Sequence, residues 1–235
     1  MQNLGRAPRR KAARILRLLR EFACRVRMKP LEFLPDAPDL FSVYRNLLQA
    51  PGVERRPGGW VYEGKFYPDY LTVGGASHAI FSKALKFCIG EGVDIGAGLW
   101  PLPGARAVDL YRGPGLGQSI SDLANGTLDY VFSSHCLEHI EDWREALHLW
   151  TSKLKPAGIV FLYLPHPDCA IWQRGSPFVG DGHKWIPTPS VVRQQLAALG
   201  CAVVCADDGP DAMFSFFVCA QKSAAAVSLP VGQHL

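Results

Sequence analysis

Residues 92–98 read Gly92-Val-Asp-Ile-Gly-Ala-Gly98, a short apolar run that turns at small residues just after an acidic side chain. The pattern predicts a buried strand whose carboxyl end bends sharply. Gly96 and Gly98 permit positive φ there and let a ligand approach without a Cβ in the way. Asp94 can accept hydrogen bonds from a bound ammonium or from turn amides. Two glycines also mark strand-turn junctions that bind nothing, so the flanking segments have to decide the reading.

Downstream, the sequence predicts strands near 106–110, 118–121 and 128–134 and a helix over 141–154. A strand over 158–164, a helix over 189–199 and strands over 201–206 and 213–221 follow. This alternation calls for a mostly parallel sheet with helices on both faces. Only Asp207-Asp-Gly-Pro-Asp211 separates the last two strands. A parallel crossover needs a longer link, so they form an antiparallel pair. The expected fold class is α/β: a Rossmann-like, seven-stranded, mostly parallel sheet whose last strand is antiparallel.

The ligand follows from what comes after the glycines. A dinucleotide sets its pyrophosphate on a helix N-terminus directly after the turn. Here the chain continues Leu99-Trp-Pro-Leu-Pro-Gly104, and two prolines in three residues prevent a regular helix. Asp109, at the end of the apolar run Ala107-Val108, is placed to hold both hydroxyls of a ribose. A nucleoside without phosphates and with an amino-acid tail fits better than NAD, and S-adenosyl-L-methionine is that ligand.

Four segments spanning residues 90–221 carry a family resemblance. Val93-Asp-Ile-Gly-Ala-Gly98 and Val108-Asp109 are two of them. Leu128-Asp-Tyr-Val-Phe-Ser-Ser-His-Cys-Leu-Glu-His-Ile-Glu-Asp142 and Leu154-Lys-Pro-Ala-Gly-Ile-Val-Phe161 are the others. Together they resemble the class I S-adenosylmethionine-dependent methyltransferases with an LEH signature, the methyltransferase type 11-like group. Leu99 departs from the usual third glycine, and a proline loop replaces the first helix, as in a subgroup with a DIGxGxxPxPGA pattern, some of whose members act on sugars or other metabolites.

The resemblance implies that Asp94, Gly96, Ala97 and Gly98 shape the methionine end of the cofactor site. Asp109, with Leu110 beside it, would bind the ribose, and Ser121 or Asp122 would lie near the adenine. Ser133, Ser134 and His135 leave the fourth strand at the carboxyl edge of the sheet and would flank the sulfonium. Glu138 and His139 match the signature, with a structural role at the helix start weighed above a chemical one. His166, with Asp168 as partner, and His183 fall in the loops after the fifth strand that face substrate in this fold. Together with His135 they are the candidates for a general base or for orienting the acceptor. Trp172, Phe178 and Trp185 are candidate walls of the acceptor-side loop. No metal site is read from the sequence; Cys201 and Cys205, on one face of a strand, come nearest to a pair.

The expected division is a basic amphipathic helix and a proline-broken linker over residues 1–38, a helical and hairpin preface over residues 39–88, the catalytic domain over residues 89–222 and a tail over residues 223–235. The preface contains a hairpin around Glu63-Gly64 and a helix over 77–88. It is the kind of segment that covers an active site, with Tyr67 and Tyr70 as candidate walls and core packing an open alternative for each. The net charge of +4 is unevenly spread, because residues 1–30 hold ten of the 25 Lys and Arg and a single acid. Residues 31–235 therefore carry −5, which argues against nucleic acid as a partner. The basic helix suits an anionic membrane surface, a protein partner or a place on the domain. Its arginines interrupt what would be the apolar core of a signal peptide. Seven cysteines without a CxxC pair read as reduced thiols of a cytoplasmic protein.

The expected activity is methyl transfer to a small-molecule acceptor, a sugar or secondary-metabolite hydroxyl. Nitrogen methylation, a macromolecular acceptor and a non-catalytic cofactor-binding module are the alternatives, and the oligomeric state stays open.

Overall fold

The computed structural model describes residues 47–72, 76–98, 101–108 and 119–224. They belong to Arg45–Leu235, one of two compact units into which the chain divides. The expected basic helix and linker, Leu99, Asp109, Leu110 and most of the tail lie outside the described residues.

The stretch that opened the reading is strand β4 (Gly92–Ile95), and all four of its residues are buried. Side chains of a strand alternate between faces. Val93 and Ile95 enter one core and Asp94 faces the other. Strands β5 (Arg106–Val108), β6 (Leu128–Ser134), β7 (Leu154–Pro165), β8 (Cys201–Asp207) and β9 (Ser215–Lys222) complete the sheet, in the order β5-β4-β6-β7-β9-β8. Pairings β4–β5, β4–β6 and β6–β7 are parallel, and β9 runs antiparallel to both its neighbours. The antiparallel last strand is as the short Asp207–Asp211 link requires.

Among the described residues the main sheet has six strands, not the seven expected. Where a strand over 118–121 is expected, the described residues form a 3-10 turn, Ile120–Asp122. Its hydrogen bonding explains the difference. Ser119 Oγ accepts from the Ser121 amide at 3.2 Å, and Asp122 Oδ2 accepts from the Ser119 amide at 3.1 Å. Ser and Asp side chains bonding the backbone in this way favour a turn over a ladder.

Helices cover both faces. Helix α2 (Trp143–Ser152) and helix α3 (Pro189–Ala198) pack their apolar stripes, Leu147 with Trp150 and Val192 with Leu196, against Val93, Val131, Val160 and Val218. Thr188 caps α3 by accepting from the Val191 amide, with Pro189 at the first helical position. On the opposite face, helix α1 (Ser77–Ala84) lies over an aromatic layer in which Phe161 stacks on Phe217 at 5.4 Å and meets Phe132 at 5.8 Å. Burying one such side chain contributes about 1.5–3 kcal/mol.

The preface is a meander of β1 (Val53–Arg56), β2 (Gly59–Tyr62) and β3 (Lys65–Pro68), antiparallel throughout. The β2–β3 turn is the expected Glu63-Gly64, both with positive φ. The meander packs on the loop after β7: Trp60 and Tyr62 each meet Phe178 edge-on at 5.8 Å. Tyr67 is buried in that same cluster, and its hydroxyl accepts from the Ala170 amide at 3.2 Å. Tyr67 is thus a core residue.

The six cysteines among the described residues form no disulfide with one another. Burial pushes the Cys169 and Cys219 thiols up to about 12. Among the described residues no helix is long and apolar enough to cross a membrane.

Candidate functional site

A cavity of about 770 Å³ opens where β4, β5 and β6 end, the edge at which open α/β sheets take their ligands. Ile95 and Gly96 from the β4 turn and Val108 from β5 form one side. Ser119, Ile120 and Ser121 form a second, and His135, Cys136 and His139 after β6 a third.

Gly96 has φ of 74°, and its amide donates to Val108 O at 2.8 Å, so the turn is bent back against β5. A Cβ at this position would collide with the side chain of Cys136. Gly98 also has positive φ, 52°, but a Cβ there meets nothing within 4 Å. Gly96 is therefore set by packing and backbone together, whereas at Gly98 no described residue stands in the way of a Cβ. Asp94 is buried, and its Oδ2 accepts the Leu102 amide at 2.7 Å, so the acid holds a turn amide, one of the two partners expected for it.

The other sequence candidates separate by location. Ser121 lines the cavity; Asp122 caps the 3-10 turn instead. Ser133 is fully buried and donates to Ile95 O at 2.9 Å, joining β6 to β4. Ser134 is buried, and its hydroxyl has no hydrogen-bond partner among the described residues. Ala97 is buried beside the glycines. Tyr70 is exposed and donates its hydroxyl proton to Ala212 O at 2.9 Å, away from the cavity lining. His166 and Asp168 also stand outside the lining: the Asp168 amide donates to His166 Nδ1 at 3.1 Å and closes a local turn. Trp172 packs on His135 at 4.8 Å, Phe178 on the meander, and Trp185 stacks on Trp143 at 3.9 Å.

The turn Leu137–His139, read from sequence mainly as a structural element, is bound to the loop around residue 183. The Lys184 amide donates to Glu138 O at 2.8 Å, Trp185 Nε1–H to Leu137 O at 2.9 Å, and His139 Nδ1 to Gly182 O at 3.0 Å. These bonds set three histidines around one carboxylate. Glu138 Oε1 lies 3.5 Å from His135 Nδ1, 4.0 Å from His139 Nε2 and 4.0 Å from His183 Nε2. Burial pushes the Glu138 carboxyl up to about 8, partly offset by its own backbone N–H. Burial, with the neighbouring imidazoles, pushes His135 down to about 3 and His183 down to about 4. His139 is lowered as well, by burial first. The missed signal was the spacing of His135, Glu138 and His139 within one turn, joined by a histidine that only the fold brings near.

A family model described as "Methyltransferase domain" matches residues 14–206. The chain belongs to this family. Among solved structures it is similar to 1,6-didemethyltoxoflavin-N1-methyltransferase from Burkholderia thailandensis, crystallised with 1,6-didemethyltoxoflavin and S-adenosylhomocysteine. That match has 18% identity, covers 66% of this chain and 81% of that one, and has a TM-score of 0.49. It is similar to an S-adenosylmethionine-dependent methyltransferase from Mesorhizobium loti at 18% identity, covering 63% of this chain and 99% of that one, TM-score 0.49. No curated protein matches the chain.

The cofactor of this methyltransferase is S-adenosyl-L-methionine, and the residues present fit it. Among the described residues nothing fills the space a Cβ would take at Gly98, Ile95, Val108 and Ile120 give the cavity apolar walls of the kind a nucleoside base needs, and Ser119 and Ser121 give it hydroxyls. Gly96 and Ser121 line the cavity, and Gly98 follows Gly96 in the same turn.

Proposed function

We propose that this methyltransferase transfers its methyl group to a hydroxyl of a small-molecule acceptor entering beside His135 and His139. The observation that carries the reading is the position of these two imidazoles on the wall of a largely apolar cavity at the carboxyl edge of the sheet. Its volume falls in the range of small-molecule sites, about 300–1,000 Å³, and the net charge of −5 over residues 31–235 disfavours a nucleic acid.

The bound cofactor supplies a methyl already activated by its sulfonium. The chain has to hold the acceptor in line, keep water out and receive the hydroxyl proton. Burial holds the His135 imidazole in its neutral form, which carries one lone pair. Ser215 Oγ donates to Met213 O at 3.0 Å and is 2.9 Å from His135 Nε2. The hydroxyl has one proton, so Nε2 donates to it and the lone pair of His135 sits on Nδ1. His183, anchored to the Trp172 carbonyl, orients this wall. His166 and Asp168 enter the reading as a brace of the loop after β7.

The test has two stages. Calorimetric titration with S-adenosyl-L-methionine should show binding; no binding removes the enzymatic reading. Hydroxyl and amine acceptors are then screened for the mass gain of one methyl. Methylation of amines alone would overturn the hydroxyl assignment.

A further inference from the structure

We propose that Glu138, His139 and His183 form a binding site for a divalent first-row transition ion such as Zn²⁺, set in the wall of the cofactor cavity. The ion-binding claim stands apart from the choice of acceptor.

The first support is the orientation of the histidines. His139 Nδ1 lies 3.0 Å from Gly182 O and His183 Nδ1 lies 2.7 Å from Trp172 O. A carbonyl oxygen only accepts, so each Nδ1 carries the proton and each Nε2 presents a lone pair. Both Nε2 atoms face Glu138 Oε1 from 4.0 Å. A backbone carbonyl on the far nitrogen of an imidazole is the usual device for fixing a ligating histidine. His135 turns its unprotonated Nδ1 toward the same oxygen from 3.5 Å.

The second support is independent of the first. Glu138 is fully buried, and neither of its carboxylate oxygens has a hydrogen-bond partner among the described residues. Facing imidazole lone pairs, the carboxyl meets no side-chain donor there, and at 3.5–4.0 Å those nitrogens lie beyond an ordinary hydrogen bond even from a protonated carboxyl. An unpaired buried polar group of this kind is costly. A cation among the three ligands satisfies all of them together.

Size and chemistry agree. The three ligand atoms lie within 4.8 Å of one another. Bond lengths of about 2.0–2.2 Å place tetrahedral ligands roughly 3.4 Å apart, so the site closes by a small inward movement of its side chains. Two imidazoles and one carboxylate favour zinc or a neighbouring transition ion over magnesium or calcium, which prefer oxygen. His139 is exposed and lines the cavity, which gives the ion an entry path. Three protein ligands leave a position open to an acceptor oxygen, an extension that rests on the hydroxyl reading above.

Full-length protein stripped with a chelator and titrated with ZnCl₂ should bind one ion per chain. His139→Ala and His183→Asn should each weaken binding by about tenfold or more. Absence of binding by the unaltered chain, or unchanged affinity in the His139→Ala/His183→Asn double variant, would overturn the site. Because His183 is buried and its variant can misfold, Co²⁺ loading of the unaltered chain gives a second measurement. Visible d–d bands of low coordination number without thiolate charge-transfer absorption are expected; thiolate absorption would move the ion to a cysteine, and no bands would dismiss it. S-adenosyl-L-methionine titrated in parallel keeps the two readings apart, since cofactor binding with no zinc binding removes the ion alone.

Discussion

The Leu102 amide donates to Asp94 Oδ2 at 2.7 Å in the protein interior, so the acid at the tip of β4 holds the proline loop that follows it. Asp94→Ala leaves that amide unpaired. The expected loss in chemical denaturation is about 1–3 kcal/mol, with weaker cofactor binding beside it. An unchanged unfolding midpoint would remove this role.

The two glycines of the turn should respond differently to a methyl group. Gly98→Ala should meet mainly the cost of positive φ, about 1–2 kcal/mol, because no described residue lies within 4 Å of its Cβ. Gly96→Ala adds a collision with Cys136 and should cost clearly more. Thermal melts of the pair decide it, and equal shifts would contradict the packing described.

Trp185→Phe retains an aromatic ring against Trp143 but removes the donor to Leu137 O. Stability should fall by about 1 kcal/mol, and turnover should fall while cofactor affinity holds, because the wall loosens. Turnover equal to that of the unaltered chain would show that the clamp is immaterial to the reaction.

His135→Ala should lower turnover of a hydroxyl acceptor with cofactor affinity preserved, whereas His166→Ala, off the cavity lining, should leave turnover nearly intact. The reverse ranking in steady-state kinetics would return the base to the loop after β7.

Asp129 accepts from Lys155 Nζ at 2.6 Å and from the Glu91 amide at 2.8 Å, and these bonds, the lysine's first, hold its carboxyl below the usual value. A carboxyl depressed in the folded state adds stability above its unfolded value, about 3.9. That contribution disappears as pH falls through the folded value. Asp129→Asn should therefore flatten the loss of stability below about pH 4; identical acid profiles would refute the linkage.

Much of this was readable in the chain itself. The apolar run Leu128–Ser134, buried at every position but Asp129, the proline-started helix at Pro189 and the short Asp207–Asp211 link each depend on neighbours in sequence, and each led to the observed element. The segment over 118–121 did not, because two side chains bonding their own backbone outcompeted a weak strand pattern. The glycine turn was legible for the same local reason that the strands were. The partners of Glu138 were not, since His183 reaches it only through bonds between the turn after β6 and a loop without periodicity. Likewise, nothing in the local pattern of Pro165–Asp168 distinguished a cavity histidine from one bracing its own turn.

The stitches that join the Leu137–His139 turn to the 182–185 loop link residues 43 and 48 positions apart, whereas the meander closes through tight hairpins. Chain closure becomes entropically costlier with length, and contacts between distant residues form slowly. This corner of the protein should therefore assemble late in folding. A nascent chain emerged only as far as β7 would carry Glu138, His139 and the four parallel strands without the segment that orients the pair, and so would have that part of its sheet before its chemistry.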